Sequence, residues 1–307
     1  MIRTEELTRT FNGTVAIEGL DLEVSEGEVF GFIGPNGAGK TTTVRILCCL
    51  IGATSGRAFI GENECGREPD SMYIRQMVGL LPEAPGLYER LSAYRNLDFY
   101  GRLYGVKDGE RAERIKQLLM MLKIWNRKDE AVSTFSKGMR QKIAIARALV
   151  HRPRILFLDE PTAGLDPEAA RTVRRFILDL KREGGTIFLN THNLYEAERL
   201  CDRIGVLKTR LIAVGSPDDL SRRFWSRTTL VRLRSLTPQI VNAIKALDFV
   251  TDVREEDGRL FIALDDPEER NPVIAKTIVD RGGEIQNISE FKRGLEEVYL
   301  KLIGEST

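Results

Sequence analysis

The length, composition and charge of this chain limit what it can be. Its 307 residues suit one large domain and a small one. The 46 lysine and arginine residues nearly balance the 45 aspartate and glutamate residues, and without a basic stripe we expect no nucleic-acid partner. No apolar run approaches the ~18 residues that span a bilayer, and none follows Met1, so we expect neither a membrane span nor a signal peptide.

The first elements in chain order are strands and one helix. Residues 15–24 alternate between apolar and polar side chains, which predicts antiparallel strand material. The apolar run at 29–33 predicts a buried strand, and residues 42–47 predict a helix that ends near Gly52. Cys48 and Cys49 fall on that helix, where small side chains predict core packing in a reducing compartment rather than a disulfide or metal site.

A glycine-rich loop joins this strand to this helix. Its sequence, G-P-N-G-A-G-K-T at 34–41, fits the pattern G-x-x-x-x-G-K-[ST] at every fixed position. In such a loop the backbone N–H groups curl around phosphate, a lysine binds the β- and γ-phosphates, and a hydroxyl ligates Mg²⁺. A turn without a ligand is the alternative, but the lysine and threonine stand where the chemistry needs them. The predicted nucleotide contacts are Gly34, Pro35, Asn36, Gly37, Ala38, Gly39, Lys40, Thr41 and Thr42.

The middle of the chain reads as a strand followed by helices. Residues 78–83 predict a strand that ends in Glu83, and from about 85 to 150 the pattern is helical. In that region, the apolar group Leu118, Leu119, Met120, Met121 and Leu122 predicts core packing rather than a cofactor site. Ser136 is predicted near the N-cap of an amphipathic helix, and His151 at its end is expected to interact with the helix dipole.

The segment at 154–160, R-I-L-F-L-D-E, is an apolar strand pattern that ends in two adjacent carboxylates. It predicts a central parallel strand, and ligands gather at the carboxyl ends of such strands. Asp159 is placed to hold Mg²⁺, and Glu160 is placed to polarise a water for attack on the γ-phosphate. The alternative, a strand followed by a surface Asp-Glu turn, is the weaker interpretation after a phosphate-binding loop.

These motifs resemble those of ATP-binding-cassette (ABC) ATPases. Residues 135–142, F-S-K-G-M-R-Q-K, are similar to the family signature L-S-G-G-Q-R-Q-R, and A-G-L-D-P at 163–167 looks like the D-loop that contains Asp166. The strand at 187–192 ends in His192, which matches the switch histidine of the family. Phe11 matches the aromatic residue that the family places against adenine, although a core aromatic is the alternative.

The chain departs from the common family pattern at two places. Glu83 stands where the family usually has glutamine, and the signature has Lys137 for the first glycine and Met139 for glutamine. Ser136 and Gly138 are kept. The combination of Leu-Pro-Glu with Ser-Lys-Gly-Met is similar to the drug-resistance and sodium-extrusion exporter subfamily.

The resemblance implies a fold and a set of partners. The expected core is an α/β P-loop NTPase domain at 1–222, with an antiparallel β subdomain and a helical signature subdomain at about 85–150. ATP and Mg²⁺ are the implied cofactors, with Thr41, Glu83 and Asp159 around the metal and Glu160 and His192 catalytic. Ser136, Gly138 and Met139 would act on the nucleotide of a second copy or of a paralogous ATPase, and Asp166 is the D-loop residue. Separate integral membrane permease subunits would hold the dimer on the cytoplasmic face of the membrane.

After about residue 223 the pattern changes. Strands are predicted at 229–234, 250–253, 260–264 and 284–288, and helices at 238–247, 272–280 and 295–303. Glu256-Asp257-Gly258 between two of these strands is a hairpin signal. The βαββαβ order predicts a small α+β, ferredoxin-like accessory domain at 223–307.

Three functions fit this sequence. The first is the ATP-hydrolysing subunit of an ABC transporter, and the subfamily likeness indicates an exporter. The second is a soluble ABC ATPase of repair, chromosome or ribosome work, but such proteins usually carry tandem cassettes, zinc modules or coiled coils, and none is visible. The third, motivated by the altered signature, is a regulatory ATP-binding module with little turnover.

Overall fold

The structure is a computed structural model that describes residues 1–291 and 294–305. Its strands are β1 (Ile2–Phe11), β2 (Thr14–Val24), β3 (Val29–Ile33), β4 (Ser55–Ile60), β5 (Asn63–Glu64), β6 (Val78–Leu81), β7 (Ile155–Asp159), β8 (Thr186–Asn190), β9 (Arg203–Lys208), β10 (Arg210–Gly215), β11 (Thr228–Leu233), β12 (Val250–Glu256), β13 (Arg259–Leu264) and β14 (Ile285–Phe291). Its helices are α1 (Lys40–Leu47), α2 (Asp70–Met77), α3 (Ala93–Leu103), α4 (Asp108–Met121), α5 (Lys137–Leu149), α6 (Pro167–Arg182), α7 (Leu194–Leu200), α8 (Pro217–Arg222), α9 (Pro238–Lys245), α10 (Pro267–Asp280) and α11 (Leu295–Glu305).

The chain divides into two compact units, Met1–Pro217 and Asp218–Gly304. The sequence predicts a domain boundary after residue 222, which assigns α8 to the larger domain. By its contacts, α8 instead belongs almost wholly to the second unit. Among the described residues, no helix is both long enough and apolar enough to cross a bilayer.

A six-stranded sheet forms the centre of the first unit. Its order is β10-β9-β3-β8-β7-β6, with β9, β3, β8, β7 and β6 parallel and β10 antiparallel at one edge. The strands β3, β7 and β8 are buried at every residue, because both faces of the sheet are covered, as is usual for parallel sheets. The predicted strands at 29–33, 154–158 and 187–192 therefore lie side by side, and their carboxyl ends meet at one edge.

The remaining parts of the first unit flank this sheet. A four-stranded sheet of order β2-β1-β4-β5 pairs antiparallel, as the alternation at 15–24 predicts. The helices α3, α4 and α5 contact one another and form the helical region expected at 85–150. Leu118, Leu119 and Leu122 are buried there as predicted. The prediction was wrong for Met120 and Met121, which are 56% and 43% exposed, because they lie on the outer face of α4.

The second unit has the predicted ferredoxin-like order. The elements β11, α9, β12, β13, α10 and β14 follow one another, and the sheet order is β12-β13-β11-β14 with antiparallel pairing. Asp257 and Gly258 both have positive φ, as a two-residue hairpin turn between right-twisted strands requires. The predicted start of a helix at Pro272 was wrong. Asp266 accepts hydrogen bonds from the N–H groups of Glu268 and Glu269, so α10 begins five residues earlier.

One further prediction near the first unit's helices needs correction, and the contacts of His151 add to another. The helix after the glycine-rich loop ends at Leu47, and Cys49 lies beyond it, half-buried and with a φ of 54°. Cys48 is buried as expected. His151 follows α5, but its ring stacks on Tyr104 with centroids 3.8 Å apart and its Nε2 lies 3.0 Å from the Val78 carbonyl oxygen. That histidine is held by specific contacts rather than by the helix dipole alone.

Candidate nucleotide site

The glycine-rich loop has a backbone that other residues could not adopt. Gly37 and Gly39 have φ values of 81° and 101°, and Gly39 directly precedes α1. A Cβ atom on Gly34 would lie 2.1 Å from the Leu207 carbonyl oxygen, and one on Gly39 would lie 2.3 Å from that of Ala16. Because only glycine fits these positions, the loop is built to bring backbone N–H groups and the start of α1 toward one point.

Lys40, the first residue of α1, is 8% exposed and points back into the loop. Its Nζ donates to the carbonyl oxygens of Gly34 at 2.7 Å and Pro35 at 3.0 Å. Burial lowers the pKa of Lys40, while the charges of Glu160 and Asp159 raise it. The loop therefore holds a partly desolvated cation, which is a suitable partner for phosphate groups.

Thr41 and Asp159 form a pair of hard oxygen donors. The Thr41 hydroxyl donates to Asp159 Oδ2 at 2.9 Å, and the Asn190 amide donates to Asp159 Oδ1 at 3.3 Å. The described residues contain no group of three or more His, Cys, Asp or Glu side chains arranged around a metal. The Thr41 and Asp159 oxygens would suit Mg²⁺, which binds through one or two protein oxygens together with water and substrate phosphates.

Glu160 follows β7 with a φ of 50°, a conformation that is uncommon for a residue with a side chain. Its N–H donates to the Asn190 carbonyl oxygen at 3.0 Å. Its Oε1 accepts from the His192 backbone N–H at 2.9 Å and lies 2.7 Å from His192 Nδ1. The turn that follows β7 and the one that follows β8 are thus joined through a single carboxylate.

These groups share one cavity of about 410 Å³. Its lining residues are Asn36, Gly37, Ala38, Gly39, Lys40, Thr41, Thr42, Glu83, Asp159, Glu160, Ala163 and His192. Gly34 and Pro35 lie behind the lining and hold Lys40. Glu83 reaches the cavity from the exposed segment after β6, because that strand ends at Leu81, two residues before the end that the sequence predicts. A cavity with a cation, three carboxylates, hydroxyl groups and an imidazole can bind and hydrolyse a polyphosphate.

Phe11 is not among the described residues that line this cavity. It ends β1, is 40% exposed, and has the Arg9 guanidinium 4.4 Å from its ring centroid. The alternative of a core aromatic does not fit that exposure. A ring on the surface can stack on a planar group through the face that Arg9 does not cover.

The signature residues lie apart from the cavity. Ser136 caps α5 by accepting from the Met139 N–H at 3.3 Å, and Asp166 caps α6 by accepting from the Ala169 N–H at 2.8 Å. A Cβ atom on Gly138 would lie 2.7 Å from Ala169 Cβ, so the signature helix and α6 approach closely. The arrangement brings the start of the signature close to Asp166 of the same chain. Neither lines that chain's own cavity, although Ala163 at the start of the D-loop does.

Two polar residues of this region were missed by the sequence prediction. Asn190 is fully buried and holds Asp159, and Glu196 is 1% exposed and hydrogen-bonded to Thr162. A polar residue at the end of an apolar strand was a usable signal for Asn190. Glu196 stands among other charged residues of a short helix, and nothing in its local sequence marks it as buried.

Comparisons with known proteins agree with this geometry. Residues 17–163 match the family described as "ABC transporter". The linearmycin resistance ATP-binding protein LnrL of Bacillus subtilis is 30% identical over all of this chain and 99% of its own length. The daunorubicin/doxorubicin resistance ATP-binding protein DrrA of Streptomyces peucetius is 34% identical over 99% of this chain and 92% of its own length.

Solved structures give the same result. An ATP-binding subunit of an ABC transporter superposes with a TM-score of 0.67 and 32% identity over 73% of this chain and 93% of its own. The dimeric, post-hydrolysis ATP-binding cassette MJ0796 with ADP and Pi gives a TM-score of 0.65 and 26% identity over 70% of this chain and 98% of its own. The chain therefore belongs to the ABC transporter family, as an ATP-binding subunit with the ABC ATPase fold.

Proposed function

We propose that this protein hydrolyses ATP, with Mg²⁺, to drive export through separate membrane subunits. The observation that carries the proposal is the Glu160 carboxylate, held against His192 in a cavity that also contains the Lys40 ammonium. The relatives named for resistance to linearmycin and daunorubicin support export as the direction of transport.

The charged and polar residues of the cavity have definite tasks in this reaction. Lys40 and the loop N–H groups bind the phosphates, and Thr41 and Asp159, with Glu83 nearby, would hold Mg²⁺, which neutralises phosphate charge. Glu160 accepts a proton from the attacking water as general base. His192 fixes the Glu160 carboxylate and presents its imidazole, 64% exposed, toward the γ-phosphate position. Phe11 provides a surface ring for the adenine.

A second copy would complete the site. Ser136, Gly138, Met139 and Asp166 do not line the cavity of their own chain, so they are available to contact a nucleotide held by another. The dimeric cassette among the structural relatives supports this arrangement. ATP then joins two cassettes, and hydrolysis releases them. Because each chain carries its own complete set of these groups, a homodimer is the simpler assembly.

The permease would contact a groove next to the catalytic cavity. The groove has a volume of about 270 Å³ and is lined on the β6 side by Leu80 and Pro82 and on the helical side by Tyr100, Tyr104 and Arg147. A largely apolar groove with two cations, Arg75 and Arg147, suits a helix of a membrane protein. Pro82 of the groove and Glu83 of the cavity are consecutive residues, so the backbone connects the two linings directly. In this arrangement the ATPase, residues 1–222, lies on the cytoplasmic face of the membrane, and residues 223–307 form an accessory domain.

Two measurements test the proposal against its alternatives. Isolation of the tagged chain from detergent-solubilised membranes should recover an integral membrane permease, whereas a soluble ABC ATPase would be recovered without one. Phosphate release from ATP by that complex should require Mg²⁺ and Glu160. A complex that binds ATP without turnover would instead support the regulatory module.

A further inference from the structure

Glu196 is a buried carboxylate that the proposed hydrolysis does not use. It lies on α7, is 1% exposed, and is absent from the described residues that line the catalytic cavity. Removing a charged side chain from water is costly unless each oxygen has a partner. The contacts of Glu196 therefore indicate what it does.

Both carboxylate oxygens of Glu196 are bound, and each reaches a different segment. Its Oε2 accepts from the Thr162 hydroxyl at 2.6 Å, and its Oε1 accepts from Arg174 Nη1 at 2.7 Å. Thr162 lies in the turn two residues after Glu160, and Arg174 lies on α6, which follows the D-loop. Glu196 itself lies four residues after His192.

The turn after β7 needs such support. Glu160 has a positive φ, and a residue in that conformation persists only when the surrounding structure holds it. Two local hydrogen bonds shape the turn: Ala163 N–H to the Glu160 carbonyl oxygen at 3.2 Å, and Leu165 N–H to that of Thr162 at 3.2 Å. The bond from Thr162 to Glu196 ties this turn to the segment that carries His192.

We propose that Glu196 is a positioning residue for hydrolysis, which acts through Thr162 to hold Glu160 against His192. This inference rests on the proposed function. The bond at Thr162 and the bond between Glu160 and His192 connect the same two segments, so the first limits how far the second can open. Arg174 neutralises the buried charge and adds α6 to the same cluster.

The test is Thr162→Val, which removes the hydroxyl donor while keeping the shape of the side chain. Turnover of the full chain should fall roughly tenfold to 10²-fold, the scale of a misplacement of about 1 Å, with unchanged ATP affinity. Thr162→Ser, which keeps the hydroxyl, should recover most of that loss. The matched control is Thr172→Val on α6, because the Thr172 hydroxyl donates only to the Glu168 carbonyl oxygen of its own helix.

The same substitution in a Glu160→Gln background separates positioning from general destabilisation. If Thr162 acts through Glu160, Thr162→Val should cause no further loss once the base is gone. An equal loss in both backgrounds, or a loss matched by a lower melting temperature, would overturn the positioning role. Unchanged turnover in Thr162→Val would overturn that role alone, whereas an inactive wild-type chain would overturn the proposed function with it.

Discussion

His192 Nδ1 lies 2.7 Å from Glu160 Oε1, and the same oxygen accepts from the His192 backbone N–H at 2.9 Å. The carboxylate is thus fixed by two contacts to one residue, although its own backbone is in the left-handed region. Oε2 has a weaker contact, 3.5 Å from the Thr191 hydroxyl. One oxygen is therefore anchored, and the other is better placed to accept a proton.

Glu160→Gln should separate ATP binding from hydrolysis. The amide keeps the shape of the side chain and can accept from the His192 N–H, but it is not a base. Phosphate release should fall by roughly 10²-fold or more, while ATP affinity by titration stays the same. The trapped ATP should produce a dimer that is visible by light scattering. A fully active variant would show that the water is polarised elsewhere, with His192 as the next candidate.

Lys40→Ala should abolish nucleotide binding at millimolar ATP. The substitution removes the cation that the loop holds, and the fold should persist because the six-stranded sheet does not depend on it. Equilibrium titration measures the binding and circular dichroism measures the fold. Lys116→Ala, an exposed lysine on α4, is the control for loss of a positive charge. Near-normal affinity in Lys40→Ala would contradict the assignment of the phosphate loop.

Gly164→Ala should disturb the D-loop through Lys137. A Cβ atom at residue 164 would lie 2.2 Å from Lys137 Nζ, so the lysine at the start of the signature must move. Gly184→Ala is the matched control, because both glycines have a positive φ, 65° for Gly164 and 82° for Gly184. A Cβ atom on Gly184 would have nothing within 4 Å. Each variant should lose roughly 1–2 kcal/mol of unfolding free energy from backbone strain.

Only Gly164→Ala should also lose turnover, by roughly tenfold, because only there does a signature residue shift. Adding Lys137→Ala removes the clash and tests whether the loss comes from the steric contact. Thermal unfolding and phosphate release of the variants provide the comparison. Equal turnover in Gly164→Ala and Gly184→Ala would mean that the position of Lys137 does not affect hydrolysis.

Cys49 should be the most reactive thiol among the described cysteines. The neighbouring Cys65 thiol, with the Gly66 N–H, Ser71 and Arg75 nearby, lowers the pKa of Cys49 to about 6 despite its partial burial. Burial raises the pKa of Cys48 and Cys201. Since the thiolate is the nucleophile, alkylation of Cys49 by iodoacetamide should rise with pH around 6 and reach its plateau near neutrality.

Cys65→Ala should shift that alkylation profile to higher pH, because the largest stabilising contact is lost. Peptide mass spectrometry assigns the labelled site, and Cys201→Ser, far from the phosphate-loop helix in sequence, is the control. A midpoint near the ordinary thiol value of about 8.5 in the wild-type chain would contradict the interpretation.

Glu83 should affect coupling more than hydrolysis. It lines the catalytic cavity and adjoins Pro82, which lines the groove proposed for the permease. Glu83→Gln should keep ATPase activity within roughly tenfold, since an amide oxygen is also a suitable ligand. Glu83→Ala should lower the ratio of transport to ATP consumed in reconstituted vesicles. An unchanged ratio would show that Glu83 has no role in coupling hydrolysis to transport.

The sequence by itself determined the motifs and most of the elements. The loop at 34–41, the strand before Asp159 and the hairpin at Asp257 and Gly258 are local patterns, in which neighbouring residues carry the whole signal. The ferredoxin-like order of the second unit followed from such patterns as well. One local signal was missed: Asp266 followed by Pro267 is a typical start of a helix, and it marks the start of α10.

Only the tertiary structure decided which of these motifs act together. The contact between Glu160 and His192, the bond from Asn190 to Asp159 and the position of Lys137 against Gly164 join residues far apart in the chain. They depend on β7 and β8 being neighbours and on the packing of α5 against α6. Burial is decided in the same way. Glu196 is inside and Met120 is outside because helix faces are covered by distant segments, which short-range patterns do not record.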